Sequence, residues 1–278
     1  MNTAIDLRAH CRDLAPILPQ LPELTESAIA TWRGRMINEH TSATVFEGLA
    51  RQLEAAGLEA VLVAECAGFA DEERRHGVLC GAVVEALGGE ALFVRPDTDE
   101  FPEHEDVPRA EAALRNILSI SCMSETVAVS LIGAERMEMA AGPLRDLLTS
   151  IYADEVGHAR FGWRLAGRLA KELTAEGLVR THAYLSVAFA HLERHELSHL
   201  NPDAAPPARG ADLGLCNGMD ARVLFYDTVT KVIIPGLEAL GFQARQAWDS
   251  RGGRRSSIEE NGRHHESERC TTDGTHTH

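Results

Sequence analysis

Two short segments carry residue types that could do chemistry. Asp71-Glu72-Glu73-Arg74-Arg75-His76 and Asp154-Glu155-Val156-Gly157-His158 each hold a Glu-x-x-His pattern with an acid directly before the Glu. Residues three apart share a helix face, so both side chains of each pair can point at one metal ion. Carboxylate oxygen with imidazole nitrogen suits iron or manganese. One Glu-x-x-His is a weak pattern, since on a solvated helix it usually means nothing. A pair of them gains weight from partners, because a di-metal site in a helical bundle also needs one carboxylate from each of two other helices. Glu125, in CMSETVAVSLIG, lies in a nearly all-apolar setting where an unpaired carboxylate would be costly. Upstream, Glu39 and Glu47 both qualify. A turn near Gly57 puts position 41 opposite Glu73, and Glu39 shares a stripe with Trp32, Met36, Ala43, Phe46, Ala50 and Leu53. Glu39 is therefore the expected partner and Glu47 the reserve. Four buried carboxylates without a cation would repel one another, which disfavours a metal-free polar layer.

The elements that must position these residues are helical. Ala, Leu, Glu and Arg dominate, aromatics make up 5%, and no sustained apolar-polar alternation occurs. Long helices are predicted over about 23–56, 58–87, 109–141 and 143–173, punctuated by Gly57, Gly88-Gly89 and Gly142-Pro143. The first two are joined by almost nothing, as are the last two, so each pair should form an antiparallel hairpin. Between the pairs runs ALFVRPDTDEFPEHEDVP, acidic and aperiodic, which reads as an exposed connection. About twenty extended residues reach roughly 65 Å, enough to return along a helix of about 45 Å. The expected fold is all-α: a four-helix bundle with one long crossover over 23–174, preceded by an N-terminal segment 1–22. Two additional helices are expected to pack on it within 175–251. The tail, 252–278, has almost no apolar residues and is predicted to be disordered. Its four histidines are set aside from the metal argument.

Residues 25–174 resemble the ferritin-like di-iron carboxylate superfamily, whose ligands run Glu, Glu-x-x-His, Glu, Glu-x-x-His in chain order. The resemblance implies two iron ions, with manganese as the alternative at either position, held by Glu39, Glu73, His76, Glu125, Glu155 and His158. It also implies that Asp154 bonds His76, and Glu72 bonds His158, through the ring nitrogen that faces away from the metal. Two histidines with four carboxylates resemble the oxygen-activating members more than the iron stores. Cys80 stands where the ribonucleotide reductase small subunit usually has a radical Tyr. Val129 stands where bacterial multicomponent monooxygenases have a Thr, and Ile151 where the p-aminobenzoate N-oxygenase type has an extra His. The rubredoxin-like module of rubrerythrins is absent. These departures leave the substrate open. The implied activity is O2 activation for oxidation of a small organic molecule, with an electron-donor protein as partner. Iron oxidation or peroxide scavenging without an organic substrate is the alternative. Cys66, Cys80, Cys122, Met123 and Tyr152 are candidates to line the space beside the metals.

The remaining sequence features set bounds. A net charge of −15 disfavours nucleic acid and anionic membranes as partners. No apolar run is expected to span a membrane, and no signal-peptide pattern opens the chain, so a cytoplasmic location is expected. Six scattered cysteines without a CxxC pair read as reduced thiols. His195-Glu196-Leu197-Ser198-His199 matches the zinc-hydrolase pattern His-Glu-x-x-His, but Glu193 and Asn201 flank it with the wrong polarity. His191, His195 and His199 form one stripe, read as a solvated face. The extra helices could also provide a homodimer surface.

Overall fold

The computed structural model describes residues 4–94 and 101–252. All of the predicted disordered tail except Gly252 lies outside them, as does part of the crossover. The chain is mostly helical. Helix α1 (Arg8–Cys11) is a single turn, and α2 (Pro22–Ala55) begins on a proline, which suits a first helical turn. At its end Gly57 takes φ 77°, and the Leu58 N–H bonds the Leu53 carbonyl at 3.1 Å. That left-handed turn reverses the chain into α3 (Ala60–Ala86). The two helices run antiparallel, so Phe46 meets Cys66 and Glu39 meets His76.

The second hairpin starts with α4 (Arg109–Ile117), which continues through a π-helical stretch, Leu118–Ser124, into α5 (Glu125–Glu138). An uninterrupted α-helix was the expectation. The extra residue per turn changes the rotation at which α5 starts, and the Glu125 N–H bonds the Ile120 carbonyl five residues back. This composite helix also corrects the membrane expectation, because Arg109–Glu138 is long and apolar enough to cross one. It is apolar because neighbouring helices cover it, burying Leu114, Ile117, Leu118, Met123 and Val127. After a tight turn at Gly142, α6 (Pro143–Leu169) runs back. It lies antiparallel to α5 through Trp163–Thr126, and to α3 through His158–Glu72, Arg164–Glu65 and Arg168–Glu59. A partly buried ion pair, Arg35–Glu135 at 2.5 Å, joins α2 to α5. The four long segments thus enclose one interior.

Helix α7 (Ala175–His199) packs on α4, where Arg180 meets the buried Glu111 at 2.6 Å. The expected last helix is broken. It comprises α8 (Gly218–Thr228), a π-helical turn, α9 (Ile234–Ala239) and α10 (Ala244–Ser250). Gly241, at φ 94°, separates α9 from α10. The N-terminal segment and the crossover contribute a two-stranded antiparallel sheet, β1 (Ala4–Asp6) on β2 (Leu92–Val94), in the register Ala4↔Val94. The connection is therefore not wholly exposed: Ala91 and Phe93 are buried against α1 and α3 residues.

Close approach of α6 to the π-helical stretch depends on Gly162. A Cβ there would sit 2.3 Å from the Ser121 Cβ and 2.8 Å from its carbonyl carbon. Backbone blocks escape, so Gly162→Ala should cost about 1–3 kcal/mol. Thermal or denaturant unfolding of the metal-free protein measures this. An unchanged midpoint would mean that the two segments have room to part.

Candidate metal centre

The interior between the four long segments is apolar except at its middle. There α2 contributes Glu39, α3 contributes Glu73 and His76, α5 contributes Glu125, and α6 contributes Glu155 and His158. The structure brings all six sequence-predicted residues together. They form two overlapping groups, Glu39/Glu73/His76/Glu155 and Glu73/Glu125/Glu155/His158, with ligand atoms within 4.8 Å of one another in each. Glu73 and Glu155 belong to both. Glu47 does not take part: it pairs with Arg74, and its side chain is 42% exposed. The geometry settles the choice between the two α2 acids because Glu39 points inward and Glu47 does not.

Both imidazoles are held with one nitrogen outward and one inward. His76 Nε2 lies 2.9 Å from Asp154, and His158 Nε2 lies 2.8 Å from Glu72. A carboxylate can only accept, so each Nε2 carries a proton and each Nδ1 faces the cluster, where a metal ion could bind it once any proton there has left. His76 Nδ1 lies 3.3 Å from Glu155 and 3.5 Å from Glu39; His158 Nδ1 lies 3.2 Å from Glu73 and 3.3 Å from Glu155. Neither Nδ1 has a hydrogen-bond partner, although both are fully buried. The Glu155 Oε2 atom is likewise orphaned. Buried polar atoms without a partner are expensive, and either protons or a metal ion between them would satisfy them. These groups could hold metal ions, and the donor set of hard oxygens with two nitrogens fits iron or manganese.

Surroundings differ across the cluster. The His158 ring packs on Phe69 at 4.4 Å and Phe46 at 5.1 Å, and Phe69 meets Phe161 at 5.2 Å. Cys66, Cys80, Cys122 and Met123 are fully buried. Tyr152 is only partly buried; it lies against Gly133 and under the Arg136 guanidinium. The sequence did not point to Arg75, whose guanidinium bonds the same Asp154 oxygen that His76 uses. Its only signal was its place beside His76. The aromatic layer read simply as core.

The zinc-hydrolase pattern does not assemble. His191, His195 and His199 line one exposed side of α7, with neighbouring ring centres 5.9 and 4.9 Å apart. Among the described residues no group of three metal-ligating side chains converges there. Compared with known proteins, the chain matches no family model, no curated protein and no solved structure.

Without a cation the cluster keeps protons. Burial and the Glu155 charge lift Glu125 to about 8, and the same two causes lift Glu73 well above the carboxylate range. Burial opposes charge on His76, but Glu155 and Glu39 outweigh it and raise the ring to about 11. Glu155 moves down, because the two histidines outweigh its burial. At pH 7 Glu125 and His76 are therefore protonated in the metal-free protein, and an incoming ion must displace those protons. Metal affinity should rise from below pH 7 to about 8, with a shallower slope above 8 once Glu125 ionises unaided. Proton release in lightly buffered solution, together with affinity against pH, checks this. A flat profile would contradict it.

Proposed function

We propose that the chain is a ferritin-like di-iron carboxylate protein that activates O2 to oxidise a small organic substrate. The observation that carries this reading is the pair of overlapping groups sharing Glu73 and Glu155, with both Nδ1 atoms turned inward. Glu73 and Glu155 would each reach both ions. Glu39 and His76 would complete one position, Glu125 and His158 the other. Iron bound there would supply O2 binding and electron transfer.

The chain's own residues do the rest. Asp154 and Glu72 keep a proton on each Nε2, fixing the tautomer that coordinates. Phe46, Phe69 and Phe161 exclude water beside His158. Glu39 has a side chain 12% exposed, against 2–9% for the other three acids, so it is the carboxylate with most freedom to shift. An electron-donor protein would return the iron to its ferrous state. Manganese in one or both positions fits the same donors.

The close packing of Phe46 and Phe69 on His158 favours a second reading, oxidation of iron or removal of peroxide with no organic substrate. Anaerobic loading with Fe(II) followed by O2 divides the two. About two irons per chain are expected, in line with other carboxylate bundles. Glu73→Ala should lose most of this binding, since it removes an acid common to both groups, and His158→Ala should lose one ion. Equal binding by the variants would sink the proposal. Rapid oxidation with many irons per chain would support the second reading.

A further inference from the structure

The two ligand groups are alike in type, four protein donors each, but not in what stands behind them. Behind His76 is Asp154, and a single oxygen of Asp154, Oδ2, accepts from both His76 Nε2 and the Arg75 guanidinium. Behind His158 is Glu72, whose Oε2 takes the ring proton. Among the described residues, Glu72 has no cationic side chain in contact. The cause is visible in the sequence. The residue before His76 is Arg75, whereas the residue before His158 is Gly157, which can offer no charge.

A carboxylate behind a ligating imidazole raises the basicity of the ring. Arg75 divides that effect at His76, because its charge offsets Asp154 and it occupies the same oxygen. Glu72 acts on His158 undivided. Exposure works the other way, since Glu72 is 38% exposed and Asp154 22%, so solvent screens Glu72 more. The Arg75 side chain is itself 52% exposed and so partly screened, but it bonds Asp154 directly, and a cation in contact offsets a carboxylate more than the extra exposure of Glu72 does. The rings' own surroundings add to the difference: Phe46 and Phe69 pack on His158 and lower the local dielectric through which Glu72 acts.

We propose that the two metal positions are built unequal, that Arg75 sets the difference, and that the position at His158 binds its divalent ion more tightly than the position at His76. This rests on the di-metal reading above. Arg75 acts through Asp154 and His76, so it is a positioning residue, not a ligand. The inequality gives the site a loading order: His158, Glu125 and the two shared acids fill first, and the ion at His76 follows.

The test is an anaerobic titration of the full-length metal-free protein with Co(II), followed by its visible absorption bands. Two steps are expected, separated by roughly tenfold or more in Kd. Glu125→Gln should abolish the tighter step and Glu39→Gln the weaker one, which assigns each to its position. Arg75→Gln should tighten the weaker step by about tenfold and leave the other unchanged, while Glu72→Gln should weaken the tighter step by a similar factor. Arg75→Lys restores the charge and should return the wild-type separation, which a merely structural role for Arg75 would not require. Equal steps in the wild type, or a weaker step that Arg75→Gln leaves alone or loosens, would overturn the inference. If neither Glu39→Gln nor Glu125→Gln alters Co(II) binding, the di-metal reading itself fails.

Discussion

Four carboxylates held within a few ångströms in a dry helical interior are the constraint on which everything else depends. Desolvation and mutual repulsion both oppose their ionisation. The metal-free protein answers with protons, which is why Glu73 and Glu125 are pushed up while Glu155, between the two histidines, is pushed down. Such a centre is stable only if the surrounding helices cannot splay apart and let water in. Ion pairs that each hold a buried glutamate serve that need. Arg35–Glu135 ties α2 to α5, and Arg180–Glu111 ties α7 to α4. Breaking such a pair is more costly than its formation is favourable, so each fixes helix placement more than it adds net stability.

The outer layer follows from the same constraint. For an imidazole here to bind a cation its Nδ1 must face inward, and a carboxylate that accepts from Nε2 favours that tautomer. The acid preceding each Glu is one helical position away and points toward the neighbouring helix. In an antiparallel α3–α6 pair, that brings Asp154 to His76 and Glu72 to His158. One helix face thus supplies the cluster and the adjacent face supplies its supports.

Much of this was legible in the sequence because helix periodicity and glycine punctuation are local signals. Gly57, Gly88 and the Gly142-Pro143 pair marked the hairpin ends, and residue counts across the turns placed Glu39 near Glu73. Three features were not legible, each for a physical reason. The π-helical stretch before Glu125 leaves no compositional trace, because its seven residues, LSISCMS, are as compatible with an α-helix. The β1–β2 pairing joins segments about ninety residues apart, and strands of three residues are too short to show alternation. The bond from Arg75 to Asp154 depends on helix rotation, which the run of two arginines does not reveal.

That short sheet has a consequence for how the first hairpin can move. By pairing Ala4 with Val94, it links the chain leading into α2 with the chain leaving α3. The pair that carries Glu39, Glu73 and His76 is then tied at both ends, by the Gly57 turn at one and by the strands at the other. One helix cannot slide along the other without breaking the strand register, so the spacing of those three side chains is held from outside the cluster.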